Sequence, residues 1–119
     1  MGTFYVKFTI RNPADPARAL DLEGLVDTGA HFTQVPKTLL DQIGLIPFGI
    51  RKVQYANGPI ASKSVASAEI LIEQEVTPTV VICGDAHDLF LIGAFTMEGL
   101  NLGVDPVHKR LIPLIAPQA

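Results

Sequence analysis

The chain has 119 residues, enough for one domain (1–119) with a core of its own and too few for two comparable lobes. Its apolar residues, 48% of the total, are mostly Val, Ile and Leu in short runs, a β-rich globular composition. A formal net charge of -3 with dispersed Lys and Arg gives no basic stripe for nucleic acid, and no apolar run approaches the roughly 20 residues that span a bilayer.

Met1-Gly2-Thr3 opens a strand-like pattern rather than a charged n-region, so a soluble, cytoplasmic protein is expected. Phe4, Val6, Phe8 and Ile10 alternate with Tyr5, Lys7 and Thr9, the period of a half-buried strand. A loop from Arg11 to Arg18, broken by Pro13 and Pro16, leads to a second strand over 19–26. The two strands are expected to pair as an antiparallel hairpin whose far end carries Asp27. Phe32 to Val35 is a short apolar segment, and Pro36 to Gly44 reads as one or two helical turns, with Pro36 at the first position and Gly44 as the C-terminal cap.

Val53 to Ala56 is the next strand candidate and Asn57-Gly58 a two-residue hairpin turn beside Pro59, which marks an exposed edge. Ser62 to Ile72 and Val76 to Cys83 are two further strands. Cys83 is the sole cysteine, which excludes an internal disulfide and a zinc-binding Cys cluster; in its apolar run it reads as a small core residue. After a polar loop, Leu89 to Gly93 is a continuously apolar strand closed by glycine, and Ala94 to Leu100 is the expected helix. Gly103-Val104-Asp105, a turn at 106–109 and a strand from Arg110 to Ile115 complete a mostly-β domain of the closed-barrel kind.

The chemistry centres on Leu25-Val26-Asp27-Thr28-Gly29-Ala30. An Asp directly after an apolar run sits at the end of a buried strand, where its charge is costly unless hydrogen-bonded or put to use. Gly29 permits a sharp turn that aims backbone N–H groups at the carboxylate. The same letters also describe a strand ending in an ordinary turn.

The order of motifs goes further. Apolar-apolar-Asp27-Thr28-Gly29-Ala30, then Asn57-Gly58, then Leu91-Ile92-Gly93, a short helix and Val104-Asp105 before a basic turn resembles the retropepsin-like aspartic proteases over about 19–114. The resemblance implies a closed β-barrel with one short helix and a homodimer in which each subunit supplies one Asp-Thr-Gly loop. The single motif in a chain without room for a second lobe supports that expectation independently. It further implies an endopeptidase acting on peptide or protein substrates without metal or organic cofactor. Asp27, Thr28 and Gly29 would be catalytic, with Thr28 bonding across the two-fold axis. Ala30, His31, Asn57, Gly58 and Ile92 would face substrate, with Asn57-Gly58 at the tip of a closing flap. Gly93 would let its strand cross behind the catalytic loop.

This chain also departs from the family pattern. His31 and Phe32 stand where retroviral members often carry acidic residues, so substrate contacts there differ; His31 is a candidate to tune the catalytic pair or to touch substrate, or is simply a solvated loop histidine. The hairpin is less glycine-rich, and Pro113 and Pro117 argue against a long terminal sheet between subunits. His87 and His108 lack ligand-like spacing, and no metal role falls to them. The competing reading is a catalytically idle dimerisation or peptide-binding module on the same fold.

Overall fold

In the computed structural model, which describes residues 3–119, the N-terminal alternation becomes a long antiparallel hairpin of β1 (Phe4–Asn12) and β2 (Asp15–Val26). The expected start of the pattern at Met1 and Gly2 lies outside the described residues. Phe8 and Ile10 are buried while Tyr5 and Lys7 on the other face are exposed, as a sheet with one solvated face requires. The connection is tighter than the expected loop from Arg11 to Arg18. The Asn12 side chain accepts the Ala14 N–H at 2.9 Å and closes the turn. The ladder then passes from Asn12 opposite Asp15 to Arg11 opposite Ala19, leaving Pro16 in a bulge where its missing N–H interrupts no pairing.

Beyond the Asp27 turn come β3 (Thr33–Pro36), α1 (Lys37–Gln42), β4 (Gly49–Gln54), β5 (Ile60–Ile72), β6 (Glu75–Gly84), β7 (Leu91–Ile92), α2 (Ala94–Gly99), β8 (Leu102–Asp105) and β9 (Arg110–Pro113). The described residues hold two short helices, at the two places where helical turns were expected and one more than the family resemblance implies, each too short to persist without tertiary packing. Helix α1 forms because its end is well specified. Gly44 takes φ +75°, its N–H donates to Asp41 O at 3.0 Å, and the Leu45 N–H donates to Leu40 O at 3.1 Å, a Schellman closure. Pro36 stands before the helix rather than in its first turn, because it is still extended (ψ 138°) and paired with Gly84 in the sheet.

The main sheet runs β1-β2-β7-β3-β6-β5-β4, and an additional β1–β5 pairing draws six of these strands into a ring. The long β5 makes this possible: 60–65 pair with β4, and beyond them 69–71 pair with β1. Strand β4 is thus left as an edge that projects past the ring, while β8 and β9 form a separate two-stranded sheet. The core inside the ring includes Ile10, Val26, Val35, Leu40, Ile70, Val81 and Ile92, all fully or almost fully buried, each side chain contributing roughly 1.5–3 kcal/mol of burial. Cys83 lies in this core, where burial pushes its thiol pKa up. Among the described residues no helix is long and apolar enough to cross a membrane.

Several boundaries differ from expectation, among them β9, which ends at Pro113 rather than Ile115, and three others have a clear physical cause. Strand β4 starts at Gly49 rather than Val53, because an edge strand with exposed Ile50, Arg51 and Lys52 lacks the burial alternation that announces a strand. The turn after it spans Tyr55 to Pro59, not Asn57-Gly58 alone: the Gly58 N–H donates to Tyr55 O at 2.9 Å and the positive φ of 50° falls on Ala56. Strand β7 is cut to Leu91–Ile92, since the turn in which the Asp88 N–H donates to Asp85 O delivers the chain late and Gly93 leads at once into α2.

Candidate active site

The apolar run before Asp27 is held on both sides. Strand β7 lies between β2, to which it is parallel, and β3, to which it is antiparallel. The Leu25 N–H donates to Phe90 O at 2.8 Å and the Asp27 N–H to Ile92 O at 3.0 Å, so the ladder continues up to the acidic residue itself. The chain then loops over β7 and returns as β3. The first N–H groups of α2 hold this loop from behind: Ala94 donates to Ala30 O at 2.8 Å and Phe95 to His31 O at 2.9 Å.

This clamp requires close backbone approach. A Cβ on Gly93 would stand 2.5 Å from the Phe32 carbonyl carbon and 2.8 Å from His31 O. Beneath it the Gly93 N–H donates to Thr33 Oγ1 at 3.1 Å, and Thr33 Oγ1 lies 2.6 Å from Thr96 Oγ1, which is 2.9 Å from Thr79 Oγ1. The three threonines are buried, so their hydroxyls are satisfied by one another and tie β3, β6 and α2 together under the loop.

Asp27 itself is half-buried. Its Oδ1 accepts the Gly29 N–H at 2.9 Å and its carbonyl accepts the Ala30 N–H at 3.1 Å. A Cβ on Gly29 would come within 3.2 Å of that same Oδ1, crowding the carboxylate the turn presents. Thr28 and Gly29 are exposed. His31, also exposed, stacks on Phe95 at 5.9 Å between centroids and meets Phe32 edge-on at 4.5 Å, so an aromatic surface flanks the loop.

Asp27, Gly29, Ala30 and His31 open onto a cleft of about 710 Å³ whose opposite wall is the β4–β5 hairpin, from Lys52 to Ala56. Its floor is apolar, formed by Leu25, Ile82, Leu89 and Leu91. Asp27 is the one carboxylate among the described residues that line it. Thr28 stands outside this lining on the turn, and Asn57 and Gly58 lie farther along the hairpin than the wall residues. Ile92 is not available to a ligand: it is fully buried in the core, and Leu91, which alternates to the opposite face of β7, takes the place expected for it.

Two cleft residues went unnoticed in the sequence. Gln34, 3% exposed, accepts the Tyr55 hydroxyl at 2.6 Å through Oε1 and donates Nε2 to Leu89 O at 3.1 Å. Its signal was an amide next to Thr33 inside the otherwise apolar Phe32 to Val35 segment. Tyr55 also lies 5.9 Å from the Lys63 ammonium, which is bound to Asp85 at 3.1 Å. Desolvation raises the Tyr55 phenol pKa, with Lys63 acting the other way, so the hydroxyl is a proton donor throughout the neutral range. No family model matches the chain and no curated protein matches it.

Proposed function

We propose that the chain is one subunit of a homodimeric aspartic endopeptidase of the retropepsin-like type, its closed β-barrel bringing two copies of Asp27 together around a peptide bond. The observation that carries this reading is the cleft: a half-buried carboxylate at the end of a core strand faces an overhanging edge hairpin across a floor suited to apolar side chains. The looping of 27–32 over β7, with Gly93 passing against the loop backbone, also matches what the motif order implies.

A single carboxylate does not supply both an acid and a base, and the exposed Thr28-Gly29 turn leaves this part of the loop accessible to a second copy. Two carboxylates side by side resist double ionisation and share one proton, as is established for aspartic proteases. The ionised Asp27 takes a proton from a bound water, which attacks the scissile carbonyl, while the protonated Asp27 of the other copy donates to the carbonyl oxygen. In the second step the proton goes to the leaving nitrogen. Gly29 keeps the Oδ1 of each carboxylate accessible to its own backbone N–H. A cytoplasmic setting belongs to the same proposal.

The test is cleavage of a peptide library by the wild type and by Asp27→Asn. Asparagine retains an acceptor for the Gly29 N–H, so the fold is expected to persist while the rate falls on the order of 10²–10⁴-fold. Equal inertness of both proteins from acidic to neutral pH, with both dimeric, would overturn the enzyme reading in favour of an idle dimerisation or peptide-binding module.

A further inference from the structure

We propose that Tyr55 is a positioning residue that latches the β4–β5 hairpin over the cleft through its hydroxyl bond to the buried amide of Gln34, and so presets the site for an extended ligand. The inference rests on the proposed peptidase site for what the cleft binds, but the latch itself stands on geometry.

The hairpin is the part of the main sheet with the least support. Among the described residues its outer strand β4 has β5 as its sole ladder partner, and β5 over 60–64 pairs with β4 alone. Within the turn, Gln54 Nε2 donates to Gly58 O at 2.7 Å, which stiffens the tip without attaching it to anything else. Attachment comes from the Lys63–Asp85 ion pair at the β5 strand and, across the cleft, from Tyr55. Its hydroxyl reaches across the cleft to Gln34 Oε1, 21 residues away in the chain, on the strand that follows the Asp27 loop.

Gln34 is well suited to receive that bond. Its Nε2 is already engaged with Leu89 O, which sets the amide orientation so that Oε1 faces the hairpin. When the hairpin lifts, a nearly buried acceptor loses its partner, so the closed position is favoured by the cost of leaving that oxygen unpaired. Lys63 beneath the Tyr55 ring, tied to Asp85 and lying 3.8 Å from Asp88, holds the ring from the β5 side. Tyr55 therefore joins the hairpin to β3, while Lys63, on β5 of the same hairpin, joins it to the 85–89 loop. A ligand that binds between hairpin and floor meets a wall already in place, with less ordering left to do.

Tyr55→Phe removes one oxygen from a side chain that is 40% exposed, and the protein is expected to fold as before. Amide hydrogen exchange of the full-length protein, read by mass spectrometry, should quicken about fivefold in 49–58, the equivalent of one ordinary hydrogen bond, with the rest of the chain unchanged. Tyr5→Phe on the exposed face of β1 is the control and should change nothing at the hairpin. With a cleaved peptide, KM should rise by a similar factor at unchanged kcat. Hairpin exchange identical to wild type would overturn the latch, whatever the activity, and so would a fall in kcat at constant KM. Faster hairpin exchange in a protein that Asp27→Asn leaves no less active would support the latch and defeat the peptidase reading alone.

Discussion

At the scale of single residues, the site is made by side chains that are absent as much as by those present. Asp27 can be presented at the end of a core strand because Gly93 lets the backbone of 31–32 lie directly on β7, and because Gly29 leaves room beside Oδ1. Gly93→Ala would drive a methyl group into the Phe32 carbonyl, which is backbone and cannot rotate away. We expect a loss of about 1–3 kcal/mol in urea denaturation, with the Asp27 loop displaced and activity reduced beyond what the stability change explains. Gly44 is a different case: its φ of +75° and the Arg18 guanidinium against its face serve the end of α1, far from any chemistry. Asp27, Gly29 and Gly93 were legible as a set because each stands at a junction of apolar run and turn. Gln34 was not, because a polar letter in a strand carries no mark of which partner will satisfy it.

At the scale of elements, turn chemistry explains most of what was foreseen. The β8–β9 hairpin closes where a turn was expected at 106–109, organised by Asp105. Its Oδ1 accepts the Val107 and His108 N–H groups at 3.1 and 3.2 Å, and its Oδ2 lies 2.7 Å from His108 Nδ1 and 3.5 Å from Arg110 Nε. The His108 side chain first, then these backbone donors, hold the Asp105 carboxyl below the usual carboxylate range. A depressed folded pKa adds stability that is fully present above the unfolded value near about 4 and is lost as pH falls through the folded value. Amides of 107–108 should therefore be protected at pH 6 and lose protection on acidification below about pH 4, and Asp105→Asn should remove the difference between the two conditions in hydrogen exchange. The β4 hairpin shows where local reasoning stops. Asn57-Gly58 correctly announced a turn, but Tyr55 and Ala56 carry its geometry, and an exposed edge strand leaves little trace in the hydropathy pattern.

At the scale of the whole molecule, the proposed paired-carboxylate chemistry needs a second Asp27, because the cleft of one chain is lined by a single carboxylate among the described residues. If two copies complete the site, sedimentation should show a dimer at micromolar concentration, and specific activity should fall on dilution, since the active species varies with the square of the subunit concentration. Efficient cleavage by a monomer at nanomolar concentration would contradict the shared site. The aromatic surface of His31, Phe32 and Phe95 lies beside the loop, with Phe95 41% exposed.

The sequence by itself determined the period-2 strands, the hairpin carrying Asp27, the turn glycines and the composition of a mostly-β domain, because alternation, turn residues and caps act within a few positions along the chain. Only the tertiary structure decided that β7 enters between β2 and β3, that β5 bends from β4 to β1 to draw the sheet into a ring, and that Tyr55 meets Gln34 across the cleft. Those contacts join residues tens of positions apart, such as Gly93 to Thr33. Their selection depends on which buried polar groups find partners once the whole core has closed, a condition that no local stretch of sequence expresses.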